Sequence, residues 1–170
     1  QISADTTALY KRTLSGVVMT PSDGASLDPF NDRIRPTMVL ETGDEYDLGV
    51  FAFADVSYRR YTFGRIFEAN SLVDQGVLVD TPRPTSFSVS SGSSLRDAAL
   101  AVIAELGMST IADVDACTLT ARGALAWRGG TSRLQILEDL AKLMLFYPPY
   151  FAANGRLKMQ GVPIPLLDAT

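Results

Sequence analysis

The spacing of apolar positions changes character near residue 90. Before it, apolar and polar residues alternate in short runs broken by turn formers, the pattern of strands. Residues 10–19 are rich in Thr, Val and Leu and run into Thr20-Pro21-Ser22-Asp23-Gly24, a dense turn signal. Residues 27–35 are irregular, since Asp28-Pro29 and Arg35-Pro36 push the residue before each proline out of the helical region. Thr37-Met38-Val39-Leu40 and residues 46–54 read as a hairpin with Gly43 at its tip, where positive φ is tolerated. Large and small residues alternate through 48–54. Tyr61, Phe63 and Phe67 share one parity, which Arg65 interrupts. Val77-Leu78-Val79 reads as one more short strand.

After residue 90 the period becomes helical. Leu95, Ala99, Val102 and Leu106 fall on one helix face, with Ser94 and Asp97 as a cap signal and Gly107 as the residue after the C-cap. A short strand is expected at 117–119. Ser132 and Gln135 form a capping box for a second helix whose stripe is Leu134, Leu137, Leu140 or Ala141, and Met144, ended by Pro148-Pro149. Asn154-Gly155 then sits between two short strands as a type I′ hairpin pair. No internal repeat stands out. The predicted class is α+β, with β-rich barrel or sandwich elements, two main helices and a C-terminal hairpin. The expected organisation is a β-rich portion at 1–90, an α+β portion at 91–161, and the start of a linker at 162–170.

Composition narrows the chemistry. The 170 residues include no histidine, so a Ser-His-Asp triad, a Cys-His pair or a histidine-held zinc cannot form within the chain. Cys117 is the single cysteine, so no internal disulfide is possible. The net charge of −4 argues against a broad phosphate-binding surface, and no nucleic-acid site is expected. No apolar run approaches the ~20 residues of a membrane span. Gln1 is not an initiator methionine, and the chain reads as a fragment of something longer.

Each remaining candidate has a simpler structural explanation. Glu41, Asp44, Glu45 and Asp47 crowd the first hairpin, and a glycosidase needs two carboxyls roughly 5 to 10 Å apart. A charged hairpin tip is more simply a solvated one. Asp113 with Asp115, or Asp74 with Asp80, offers oxygens for calcium but lacks the calcium-loop spacing. Gly129-Gly130-Thr131-Ser132 resembles an anion cradle without the lysine of a P-loop, and capping explains it. Cys117 reads as packed and inert, and no metal or cofactor is expected.

One stretch asks for more. Leu143-Met144-Leu145-Phe146-Tyr147 would cover every side of the last helical turn, and a helix end apolar all round must be enclosed. Tyr150 and Phe151 would join that cluster, and Trp127 is a core or interface anchor. Trp127, Leu143, Met144, Leu145, Phe146, Tyr147, Tyr150 and Phe151 are therefore the candidate packing or interface residues.

The run from Trp127 through Gly130-Thr131-Ser132 and the Leu-rich helix to Asp139-Leu140, then Tyr147, Tyr150-Phe151 and Asn154-Gly155, resembles tailed-phage minor tail proteins. More narrowly it resembles the hub-like tail-tip proteins of siphophages infecting actinobacteria. Arg12-Thr13-Leu14-Ser15-Gly16, Asp32-Arg33-Ile34-Arg35-Pro36, Leu48-Gly49-Val50-Phe51 and Leu72-Val73-Asp74-Gln75-Gly76 resemble segments of the same family in the same order, over residues 10–159. The resemblance implies a non-enzymatic structural protein of the virion, at the distal end of the tail. It implies a baseplate hub, usually a homotrimer, that joins tail tube, distal tail ring and tape measure to tip fibres. A cell-wall glycosidase and a host carbohydrate-binding module, the latter using Trp127, Tyr58 and Tyr61, are the alternatives.

Overall fold

In the computed structural model, residues 2–4, 12–19, 28–61 and 64–163 are described, with backbone alone at 2–4, 18–19, 56, 58–61 and 64–67. The turn expected at 20–24, Phe63, and residues 164–170 of the expected linker lie outside them. The elements are β1 (Ile2–Ala4), β2 (Arg12–Met19), β3 (Thr37–Val39), β4 (Glu45–Asp47), β5 (Phe51–Tyr61), β6 (Gly64–Asp74), α1 (Gly76–Val79), β7 (Phe87–Val89), α2 (Leu95–Glu105), β8 (Ala112–Val114), β9 (Leu125–Trp127), α3 (Arg133–Met144), β10 (Tyr150–Phe151) and β11 (Leu157–Met159). The class is α+β. The chain divides into two compact units, Gln1–Leu78 with Phe151–Gly155, and Val79–Tyr150 with Arg156–Thr170.

The first unit is built on a sheet in the order β1-β2-β6-β5, with β3 and β4 as a separate hairpin. Among the described residues this sheet is open, ending at β1 and β5, which corrects the barrel reading. Strand parity places its core: Leu14 stands opposite Leu72, and Leu72 opposite Phe53. Leu14, Phe51, Ala69 and Leu72 are buried together, with Val17, Ile34 and Phe53 packed against them. A bulge at Asp55 shifts the β5–β6 register.

A polar node fastens this unit. Asp74, 2% exposed, accepts from the Arg12 backbone N–H (3.0 Å) and from the Gly76 N–H (2.8 Å). The Arg12 guanidinium donates to the carbonyls of Leu48 (3.0 Å), Phe151 (2.6 Å) and Ala152 (3.1 Å) and lies 5.9 Å from the Phe51 ring centre. Buried charge is tolerated because every group finds a partner. A Cβ on Gly49, whose φ is +133°, would stand 2.8 Å from Arg12 Nη1, so this backbone fits only glycine. The predicted strand from 48 to 54 begins only after that glycine, at Phe51.

The second unit carries α2 and α3, the antiparallel pair β7–β9, and β11 in parallel with β8 and flanked on its other side by β10. Both helices begin as expected: the side chains of Ser94 and Ser132 accept from the N–H groups of Asp97 and Gln135, each at 3.1 Å. Leu95, Ala98, Ala99, Val102 and Ile103 of α2 are buried, as are Leu134, Ile136, Leu137, Leu140, Ala141 and Met144 of α3.

Four local expectations are corrected. Val77-Leu78-Val79 belongs to α1, not a strand; Asp74 Oδ1 accepts the Gly76 N–H at the start of that turn. The strand expected at 117–119 lies earlier, at 112–114, where it pairs with β11. Asn154 does not take the positive φ that a type I′ turn requires; the turn closes instead from Gly155 N–H to Ala152 C=O at 2.9 Å. The fourth is the end of α3.

Candidate assembly surface

Helix α3 stops at Met144, before the prolines. Leu145 takes the left-handed conformation (φ 60°, ψ 38°), and its N–H donates to the carbonyls of Ala141 and Lys142. For a residue other than glycine that conformation costs roughly 1–2 kcal/mol. The chain then runs extended. Phe146 bridges Gly161, flanked by Tyr147 N–H to Gln160 C=O (2.9 Å) and Val162 N–H to Leu145 C=O (3.2 Å).

The change of period decides which side chains face water. Met144 is buried and Phe146 half-buried, whereas Leu143, Leu145 and Tyr147 are 46%, 68% and 48% exposed. An all-round apolar helix end would have needed enclosure on every side; this one sends two side chains in and three out. Exposed Val162 is hydrogen-bonded beside Leu145. In the first unit, Met38, Val39, Leu40 and Tyr46 are exposed on and beside the β3–β4 hairpin, and Phe30 is exposed before it. Scattered apolar residues on a surface need no explanation, but a run on one helix end is the kind of feature that marks a contact.

The other candidate residues are held within the fold. Trp127 is half-buried in β9; its Nε1–H donates to Asp139 Oδ2 at 3.0 Å, and its ring lies 5.7 Å from that of Phe87. Tyr150 is half-buried and hydrogen-bonded through its hydroxyl to Gln160 Oε1, and Phe151 is buried. Tyr58 and Tyr61 lie in β5.

The acidic quartet Glu41, Asp44, Glu45 and Asp47 is exposed along the β3–β4 hairpin. Asp47 takes a two-pronged bond from Arg35, and Asp44 accepts from the Thr42 hydroxyl. All four side chains stand open to water rather than in the enclosed pocket that general-acid work uses. Asp113 pairs with Lys158, whose hydrogen bond holds its carboxyl below the ordinary 3.8, and Asp115 accepts from the Gly161 N–H at 3.0 Å. Among the described residues no group of three or more His, Cys, Asp or Glu is placed to hold a metal ion. Two amides of the 129–132 turn and two just beyond it are occupied as well. Gly130 donates to Arg83 C=O, Thr131 to Arg128 C=O, Arg133 to Thr81 C=O and Gln135 to Ser132 Oγ, so the cradle reading gives way to capping.

Sequence reasoning missed a charged cluster. Glu105, the last residue of α2, receives Arg83 Nε and Nη2 at 2.9 Å each, and Arg133 Nε, from the first residue of α3, lies 3.6 Å away. The hydrogen bond from Arg83 is the main cause holding the Glu105 carboxyl below its ordinary 4.5. A signal was present: an acid at a helix C-terminus and a base at a helix N-terminus both oppose the helix dipole, so each needs a partner.

Among the described residues no helix is long and apolar enough to cross a membrane. No protein-family model matches the chain, and no curated protein matches it. Its fold is shared with solved structures. A 43 kDa tail protein of prophage MuSo2 from Shewanella oneidensis aligns over 94% of this chain with a TM-score of 0.55 at 14% identity. A tail protein from Neisseria meningitidis MC58 aligns over 66% of it with a TM-score of 0.50 at 20% identity. The aligned region covers 47% and 34% of those chains respectively, so this chain has the fold of part of two tail proteins.

Proposed function

We propose that the chain is a structural component of a bacteriophage tail, and more narrowly a minor tail protein of the baseplate hub at the tail tip. The observation that carries this reading is the fold shared with two tail proteins, in one case along nearly the whole chain. The exposed Leu143, Leu145 and Tyr147 supply the apolar, aromatic-bearing surface that a permanent assembly covers. In this reading the protein acts as a homotrimer at the distal end of the tail, between the tail tube, distal tail ring and tape measure on one side and tip fibres on the other. Its role is packing rather than catalysis, and it uses no cofactor.

The glycosidase and carbohydrate-module readings draw no comparable support. The acidic quartet is exposed along a hairpin, and the Trp127 indole N–H is committed to Asp139.

Purified virions of the phage that encodes the chain test the proposal, by peptide mass spectrometry and by labelling with an antibody against it. Label at the tail tip, with a trimeric mass for the isolated protein by light scattering, is the expected result. A chain absent from the particles, or a stable monomer with no place in the tail, overturns it.

A further inference from the structure

We infer that residues 81–109 and 119–147 are two copies of one strand–turn–helix module, folded against each other about a pseudo-two-fold axis. Strands β7 and β9 open at Phe87 and Leu125, and helices α2 and α3 at Leu95 and Arg133. The offset is 38 in both cases (125 less 87, 133 less 95), and every correspondence below keeps it.

The backbone hydrogen bonds are reciprocal under that offset. Arg83 N–H donates to Thr131 C=O and Ala121 N–H to Ser93 C=O, both at 2.9 Å. Gly130 N–H donates to Arg83 C=O and Gly92 N–H to Ala121 C=O, both at 2.7 Å. Arg133 N–H reaches Thr81 C=O and Leu95 N–H reaches Leu119 C=O, at 3.0 and 3.2 Å. Pro82 bridges Ser132 as Ser94 bridges Thr120. The β7–β9 pair maps onto itself, with Ser88 opposite Ala126 at its centre.

A simple antiparallel crossing would give some of this reciprocity, but the correspondence continues into the turn dihedrals, the caps and the C-terminal ends of both helices. The turn glycines Gly92 and Gly130 have φ of +83° and +91°. The N-caps are Ser94 and Ser132. Each helix is followed by a left-handed residue, Gly107 at +69° just past the C-cap Leu106 and Leu145 at +60° as the C-cap itself, and then by an N–H (Met108, Phe146) that donates five residues back, to Ile103 and Ala141. Across the two spans only the Gly92/Gly130 and Ser94/Ser132 pairs are identical in sequence, so the duplication is carried by backbone plan and not by side chains.

The two copies then serve as controls for one another. The exposed positions Glu105, Gly107 and Ser109 of the first copy correspond to Leu143, Leu145 and Tyr147 of the second. The module therefore folds without a large apolar side chain at any of the three places, and the apolar trio is an addition to it. The turns differ in one respect. Ser91 Oγ reaches Arg122 C=O at 3.4 Å, whereas its counterpart Gly129 lies against Pro84 C=O, where a Cβ would stand at 2.9 Å.

Two exchanges in the full chain test the inference, followed by urea unfolding monitored by circular dichroism. The first gives the second copy the residues of the first, Leu143→Glu with Leu145→Gly and Tyr147→Ser; a single cooperative transition at or above the parent midpoint is expected. The second transplants the second turn into the first copy, Ser90→Arg with Ser91→Gly and Ser93→Thr, and is expected to keep the transition, while the opposite change Gly129→Ser lowers the midpoint. Loss of the cooperative transition in either exchange overturns the inference.

Discussion

The exposed residues at the C-terminal end of α2 include Glu105, Gly107 and Ser109; at the end of α3 the corresponding positions hold Leu143, Leu145 and Tyr147. The backbone follows one plan at both ends: a left-handed residue comes after the last turn, and the next N–H turns back to a carbonyl five residues earlier. Exposure is thus a property of the geometry, while polarity is a choice made in each copy. The first copy spends its positions on folding: Glu105 binds two arginines, and glycine takes the left-handed conformation without strain. The second holds a leucine in that conformation and turns it to water, which favours neither the cap nor the core. In the proposed reading, the apolar end of α3 serves a neighbour in the assembly rather than the fold of this unit.

The largest expected effect would break the comparison at its base. Leu140→Asp and its counterpart Val102→Asp each bury an unpaired charge at a fully enclosed position, at a cost of several kcal/mol. Both should abolish folding of the second unit, seen as loss of the cooperative transition in circular dichroism. If one copy tolerates the charge, the helix faces are not equivalent.

Next comes the left-handed position itself. Gly107→Leu should destabilise by about 1–2 kcal/mol. The reverse change Leu145→Gly should stabilise by up to about 1 kcal/mol, because the greater freedom of glycine in the unfolded chain offsets part of the strain relief. Urea midpoints of the two variants, shifted in opposite directions, would sharpen the contrast. Ser94→Ala and Ser132→Ala remove matching caps and should each cost about 1 kcal/mol, by an equal amount within error of the same titration.

The smallest effect is the pH dependence of the first copy's polar end. The folded carboxyl of Glu105 is held below its ordinary 4.5, chiefly by the Arg83 hydrogen bond, so its contribution is complete above that value and is lost as pH falls through the lowered one. With the side chain 33% exposed, solvent screening limits the contribution to less than about 1 kcal/mol. Unfolding midpoints should hold from pH 7 to about 5 and then decline, and Glu105→Gln should flatten part of that decline.

Much of the second unit was legible because its signals are local. Ser94, Ser132 and the two apolar stripes announce the helices, since capping and periodicity act within a few residues. What was hidden depends on distant partners. The exit of α3 at Met144 is set by the pairing of Phe146 with Gly161, which no window around Leu143 contains. The Arg12 node joins residue 12 to carbonyls at 48, 151 and 152. Val77-Leu78-Val79 is too short for periodicity to separate helix from strand. The duplication was invisible because hydrogen bonds and φ angles were kept while nearly every side chain changed. Exposure along the candidate run was half legible: the sequence marked the apolar stretch 143–147, and only the backbone could say which three of its five side chains face water.

The most direct test of the assembly claim is the structure of the tail particle by electron cryo-microscopy, read at one place. The account predicts that Leu143, Leu145 and Tyr147 are covered by a neighbouring chain, while Glu105, Gly107 and Ser109 keep no such requirement. A particle that contains the chain with all three apolar side chains open to solvent would contradict it.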